Sequence, residues 1–164
     1  MTDDTQRSGA SVPWAEQVFG THINPVTLLA SDYLNHFSEA IMLLGMVTDI
    51  PEVIQDLRAW RFKSYCEHFL QSNLDYGPLA AEAYAHAPQK YKQPFDAGVE
   101  ALAVQLQCAI EEVTDLVERE RPENLRETVT SQLNVISRLA DEVSAVIAGH
   151  TSPNSQEIID KLFE

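Results

Sequence analysis

The sequence is short of cysteine and of basic residues, and each shortage excludes a class of protein. Cys66 and Cys108 are the only two cysteines among 164 residues, and they lack the C-x-x-C spacing of a redox or zinc motif. Because each lies in a helical pattern, we expect buried free thiols in a reducing compartment. Basic residues number 11 against 25 acidic ones, so the formal net charge is −14. That charge disfavours nucleic acid and anionic membranes, which would repel the chain, and favours basic partner surfaces.

Membrane-spanning and secretory patterns are also missing. No apolar run reaches the length that a membrane-spanning helix needs. The first nine residues, MTDDTQRSG, lack the basic start and apolar core of a signal peptide. We therefore expect a cytoplasmic protein without membrane insertion. The polar residues 1–12 are predicted to be disordered, residues 13–149 to form a helical domain, and residues 150–164 to form a flexible tail.

No alternating pattern typical of a β-strand occurs, and apolar residues recur with helical spacing instead. The pair Asn24-Pro25 is typical of a helix start and predicts a first helix that runs to Val47. Prolines and other breakers divide the residues that follow into three shorter predicted helices, 51–60, 62–73 and 78–86.

The second half of the chain carries the clearest periodicity, with apolar residues three or four positions apart on both sides of Pro122. This pattern predicts a long antiparallel helix hairpin over about residues 94–149, closed by Gly149. The predicted fold class is therefore all-α, a helical bundle built on this hairpin. The seam can be covered by the preceding helices or by the hairpin of a second copy, which would make a homodimer. The seam consists of Phe95, Val99, Leu102, Leu106, Ala109, Val113 and Leu116, then Leu125, Val129, Leu133, Ile136, Ala140, Val143 and Ile147.

The tail holds a short amphipathic segment, Ser155 to Phe163, behind the breakable stretch 149–154. Wound as a helix, it places its apolar residues on one strip and its charged residues toward water. A helix this short is marginal alone and must dock onto its own core or onto a partner groove. The apolar strip is formed by Ile158, Ile159, Leu162 and Phe163.

The pattern Ser-Gln-x-x-Ile-Asp-x-Leu-apolar in this segment resembles the peptide by which the flagellar motor switch protein captures a phosphorylated chemotaxis response regulator. The layout of hairpin plus tail resembles the helical chemotaxis phosphatase, which dimerises through a long hairpin. The resemblance in sequence covers residues 155–163 only. It implies a response-regulator receiver domain as the partner and a homodimer. The implied partner-binding residues are Ile158, Ile159, Asp160, Leu162 and Phe163.

The helical phosphatase family uses Asp-x-x-x-Gln, in which the acid engages the receiver site and the amide orients the attacking water. The hairpin here lacks this motif. Outside it, Glu67 and Gln71 have the same i, i+4 spacing, with Glu replacing Asp. If the resemblance extends to catalysis, this pair supplies the acid and the amide. The chain then needs no cofactor of its own, because Mg²⁺ belongs to the partner receiver.

A second hypothesis is a ligand- or metal-binding helical bundle. Asp32, His36 and Glu39 are expected on one side of the predicted first helix, and His68 on the third helix could complete a set of ligands. A solvated helix face is the alternative, and the Glu-x-x-His repeats of bundle di-iron sites do not occur here. Aromatic and basic residues also cluster at 60–65 and 84–92, either as binding patches or as packing at helix junctions.

Overall fold

The computed structural model describes residues 13–150, and all but one of their regular elements are helical. The exception is an isolated antiparallel bridge between Ile23 and Ala30. The all-α prediction is confirmed for this part of the chain. The α-helices are α1 (Trp14–Gln17), α2 (Asn35–Met46), α3 (Ile54–Ala59), α4 (Tyr65–Gln71), α5 (Gly77–Tyr84), α6 (Gln89–Glu118) and α7 (Pro122–Ile147), and 3-10 turns span Ser31–Leu34 and Pro51–Val53.

Helices α6 and α7 pack against each other in opposite directions. The Gln105 side chain donates to Oε1 of Gln132 at 2.6 Å. Farther from the turn that joins the two helices, a Cβ built on Gly98 would lie 2.9 Å from Cγ2 of Val143, so a larger residue at position 98 would require the valine to shift. The seam residues are buried, except that Leu116, Leu133 and Ala140 are only partly so, and α2 and α3 also contact these helices. Burial of the seam therefore requires no second copy of the chain.

Both long helices end in the same cap, in which a residue of positive φ lets two backbone N–H groups bond back to the last turn. After α6 the residue is Glu120, with φ 51°, and the N–H of Arg121 donates to the carbonyl of Leu116. After α7 it is Gly149, with φ 94°, and the N–H of His150 donates to the carbonyl of Ala145. The first cap places a non-glycine residue where an L side chain is strained.

Helix α6 starts earlier than the sequence predicts, at Gln89 rather than near residue 94. Pro94 lies inside the helix, in its second turn. The proline removes one backbone N–H, so Lys90 loses its usual i+4 donor, but the helix continues because Tyr91 and Phe95 are both buried. Burial of aromatic rings on either side of the proline therefore overrides the local breaker.

The predicted first helix, Pro25 to Val47, is wrong over its first ten residues, 25–34, which are not α-helical. The side-chain oxygen of Asn24 does accept from the N–H groups of Val26 and Thr27, as a helix cap would. However, Leu28 has φ 61°, which ends the turn, and α2 starts only at residue 35. The reason is tertiary: the buried Thr27 hydroxyl donates to the carbonyl of Ile147 at 2.8 Å, which ties the turn to the end of α7.

The prediction of buried cysteines is wrong for Cys108, which is exposed. It lies on the side of α6 that faces away from the seam, next to the buried Ala109. Cys66 is half-buried and its thiol approaches the carbonyl of Ala81 at 3.8 Å. Both thiols are free. No helix in residues 13–150 has the length and apolarity needed to cross a membrane.

Candidate functional site

The five predicted partner-binding residues of the tail, Ile158, Ile159, Asp160, Leu162 and Phe163, lie outside the described residues, as does the segment 1–12. The other candidate residues lie in the described part of the chain and belong to α4, α2 and the 3-10 turn before α2.

Glu67 and Gln71 project from the exposed side of α4. Ser64 caps this helix, since its hydroxyl accepts from the backbone N–H of Glu67 at 3.2 Å. The opposite side of α4 is fixed by the buried rings of Tyr65 and Phe69. The i, i+4 spacing therefore places a carboxylate and an amide on one solvent-facing surface of an anchored helix. A partner protein can reach both groups without displacing the core.

The four candidate metal ligands do not converge on one metal site. Asp32 accepts from Nδ1 of His22 at 3.0 Å, and Glu39 is exposed on α2. The rings of His36 and His68 are 6.1 Å apart between centroids. Among residues 13–150 no group of three or more His, Cys, Asp or Glu side chains could hold a metal ion. Asp32 lies in the 3-10 turn before α2, whereas His36 and Glu39 lie on α2 itself.

His36 instead holds the extended segment 61–64 in place. Its Nε2 accepts from the backbone N–H of Lys63 at 2.9 Å, and the Tyr33 hydroxyl donates to the carbonyl of Lys63 at 2.7 Å. The His36 ring stacks on Trp60, with centroids 4.9 Å apart, and its own carbonyl accepts from the indole N–H. Both backbone groups of Lys63 are thus bound by side chains. This is why the predicted helix 62–73 begins only at Tyr65.

The electrostatics agree with this role for His36. Burial lowers its pKa to about 4, with further lowering by His68 and Lys63. The ring is therefore neutral near pH 7, and Nε2 keeps the lone pair that Lys63 needs. Burial, followed by Lys63, also lowers the pKa of His68. Two neutral histidines in this position can accept or donate hydrogen bonds without the cost of burying a charge.

An aromatic cluster surrounds this segment, and sequence reasoning found it only in part. Tyr33 lies at its centre, with centroids 5.3 Å from Phe37, 5.3 Å from Tyr65 and 6.1 Å from Phe95. Burial raises the pKa of the Tyr33 and Tyr65 hydroxyls. The density of aromatic residues between positions 33 and 95 was the available signal, but sequence spacing does not reveal which rings meet. The stretch 60–65 serves largely as packing at a helix junction.

Two open grooves flank the segment 61–64. One, of about 450 Å³, is lined by charged groups that include Glu39, Asp56, Arg61 and Lys63. The other, of about 300 Å³, has mainly apolar and aromatic walls and lies against α6. A third groove, of about 500 Å³, lies between α3 and the distal part of α6. All three grooves are open to solvent, so they suit contact with a partner better than a reaction that needs an enclosed cavity.

No family model matches this chain, and neither a curated protein nor a solved structure shows significant similarity to it.

Proposed function

We propose that this chain is a regulatory protein of two-component or chemotaxis signalling that binds a response-regulator receiver domain through its C-terminal peptide. The observation that carries the proposal is the sequence pattern of residues 155–163, in which the spacing of four apolar residues would place them on one strip of a helix and Asp160 falls at the acidic position of the motor-switch peptide. An amphipathic helix that enters a hydrophobic groove is a common recognition mode.

The end of the described domain supports this proposal. Helix α7 is closed by Gly149, and its last turn is fixed by the Thr27 hydroxyl. The peptide therefore follows, in sequence, a helix that has already ended at Gly149. The formal charge of −14 favours a partner whose contact surface is basic.

Stimulated dephosphorylation of the bound receiver is the second part of the proposal. Glu67 and Gln71 are exposed together on α4, which suits an acid that engages the receiver site and an amide that orients water. Mg²⁺ would come with the receiver. Homodimerisation is a separate proposal based on the hairpin layout, and light scattering of the full chain tests it.

Receiver binding is tested with two forms of the protein, the full chain and a chain that ends at His150. The shorter form keeps the backbone hydrogen bond from His150 to Ala145, so the cap of α7 is preserved. Both are used to capture receiver domains, free and loaded with beryllofluoride as a mimic of the aspartyl phosphate. We expect capture by the full chain only. Equal capture by both forms would contradict the proposal.

The catalytic part is tested with Gln71→Ala. We expect slower dephosphorylation with unchanged receiver binding, because an amide that orients water acts mainly in the transition state. Asn73→Ala, a change at another exposed amide just after α4, is the matched control. If Gln71→Ala and Glu67→Ala both leave the rate unaltered, this pair has no catalytic role, although the tail can still act as a tether.

A further inference from the structure

The apolar groove against α6 has a rigid aromatic floor. Tyr65 lies at its centre, with ring centroids 5.3 Å from Tyr33 and 5.5 Å from Phe95. These three rings are buried, and hydrogen bonds fix two of them: the Tyr33 hydroxyl donates to Lys63, and the Tyr65 hydroxyl accepts from the N–H of Ala30. The floor is therefore formed before any partner arrives.

The rim of this groove exposes large apolar side chains. Phe62, from the extended segment, is 46% exposed and Val104, from α6, is 58% exposed. Ala103 lies beside Val104 and also lines the groove. Single exposed apolar residues are ordinary, but here they border one concave apolar surface with an aromatic floor. Such a surface fits bulky apolar anchors from a partner.

Acidic residues determine which partner fits. Asp96 and Glu100 line the same groove, one helical turn apart on α6, and both are exposed. Asp96 accepts from the Tyr84 hydroxyl, and neither carboxylate forms an ion pair with any residue between 13 and 150. The nearby cation, Lys92, lies over the Tyr84 ring at 4.5 Å. Two adjacent like charges that have no ion-pair partner favour a basic ligand.

We propose that this groove binds an amphipathic helix of another protein, with bulky apolar anchors seated between Phe62 and Val104 and flanking Lys or Arg residues paired with Asp96 and Glu100. The chain's own tail is a poor match in charge, because residues 155–164 contain three acidic residues and one lysine. The site is separate from the receiver-binding peptide and does not depend on it.

The test uses the full chain and a labelled model peptide of about 14 residues, made of leucine and lysine in an amphipathic helical pattern with one tryptophan. A peptide with glutamate in place of every lysine is the control ligand. Fluorescence anisotropy measures affinity, and amide chemical shifts locate the contact. We expect micromolar binding of the lysine peptide alone, with the largest shifts at Phe62, Val99, Glu100 and Val104.

Exposed positions allow matched variants that keep the fold. We expect Glu100→Lys to weaken binding at least about tenfold and Val104→Ala at least about fivefold. Glu127→Lys makes the same charge change near the far end of the α6 and α7 pair, and Val26→Ala truncates a valine that is 59% exposed. Both controls should change affinity less than about twofold. The proposal is overturned if Glu127→Lys weakens binding as much as Glu100→Lys, if the glutamate peptide binds equally well, or if a peptide of residues 151–164 competes for the groove.

Discussion

The two halves of the described chain hold their shape by different means. In α6 and α7, aliphatic residues repeat along one seam and backbone hydrogen bonds close both helix ends. In residues 13–87, short helices and turns are fixed by individual side chains that bind backbone groups. Tyr65 binds the N–H of Ala30, and His36 binds that of Lys63. Many equivalent apolar contacts hold α6 and α7 together, whereas in residues 13–87 specific side-chain hydrogen bonds add to a buried apolar core.

The largest expected effect comes from a charge placed in the seam. Leu106 is completely buried, so Leu106→Asp should cost at least about 4 kcal/mol and unfold the domain, because the carboxylate would have no partner. Gln107→Asp, at the exposed next position, should leave the melting temperature nearly unchanged. Circular dichroism and light scattering check both variants. A folded Leu106→Asp protein would show that the seam is misassigned.

Two tyrosines in residues 13–87 separate the contribution of a hydrogen bond to stability from that of ring packing. Tyr65→Phe should destabilise the fold by about 1–3 kcal/mol, since it leaves the buried N–H of Ala30 unpaired. Tyr76 is the matched control, because its hydroxyl is buried without a hydrogen-bond partner in the described structure. Tyr76→Phe should therefore be neutral or slightly stabilising. Equal costs in urea denaturation would mean that ring packing, and not hydrogen bonding, is decisive here.

Acid should lower the free energy of unfolding through His36, which lies in residues 13–87. The pKa of His36 is lowered from 6.5 to about 4 in the folded state, so the unfolded chain binds a proton first as pH falls. Its contribution to stability is complete above about pH 6.5 and is lost progressively toward pH 4, by up to about 2 kcal/mol once partial solvent screening is allowed for. His68 acts in the same direction.

The variant His36→Gln isolates this effect, since an amide oxygen can still accept from Lys63 but does not titrate in this range. Denaturation at several pH values should show a shallower loss of stability for the variant between pH 6.5 and 4. Parallel curves for the two proteins would assign the acid sensitivity to other groups.

The smallest expected effect concerns the turn between the long helices. Glu120 has φ 51° and is exposed, so Glu120→Gly should relieve backbone strain and raise stability by up to about 1 kcal/mol. Gly149→Ala makes the reverse change in the equivalent cap after α7, where φ is 94°, and should lower stability by a similar amount. Thermal melts compare them. Opposite signs for the two substitutions are the expected result.

The contrast between the halves also explains what the sequence could predict. Seam burial followed from the spacing of apolar residues, because one heptad pattern specifies many equivalent contacts. The start of α2 did not follow, because it depends on a hydrogen bond between Thr27 and Ile147, which are far apart in sequence. The role of His36 was hidden for the same reason: its partner Lys63 is 27 positions away. No local sequence pattern indicates that Val104 lies at the rim of the apolar groove.

We propose that receiver binding resides in the tail and is separate from the stability of the domain. The most direct measurement compares the receiver Kd and the melting temperature of the full chain with those of the double variant Leu162→Ala, Phe163→Ala, using Lys161→Ala on the charged side of the segment as the control. We predict that the double variant weakens binding at least about 30-fold, which corresponds to about 2 kcal/mol, while its melting temperature stays within about 1 °C. A melting temperature several degrees lower with unchanged receiver affinity would contradict the account, since the tail would then be part of the core.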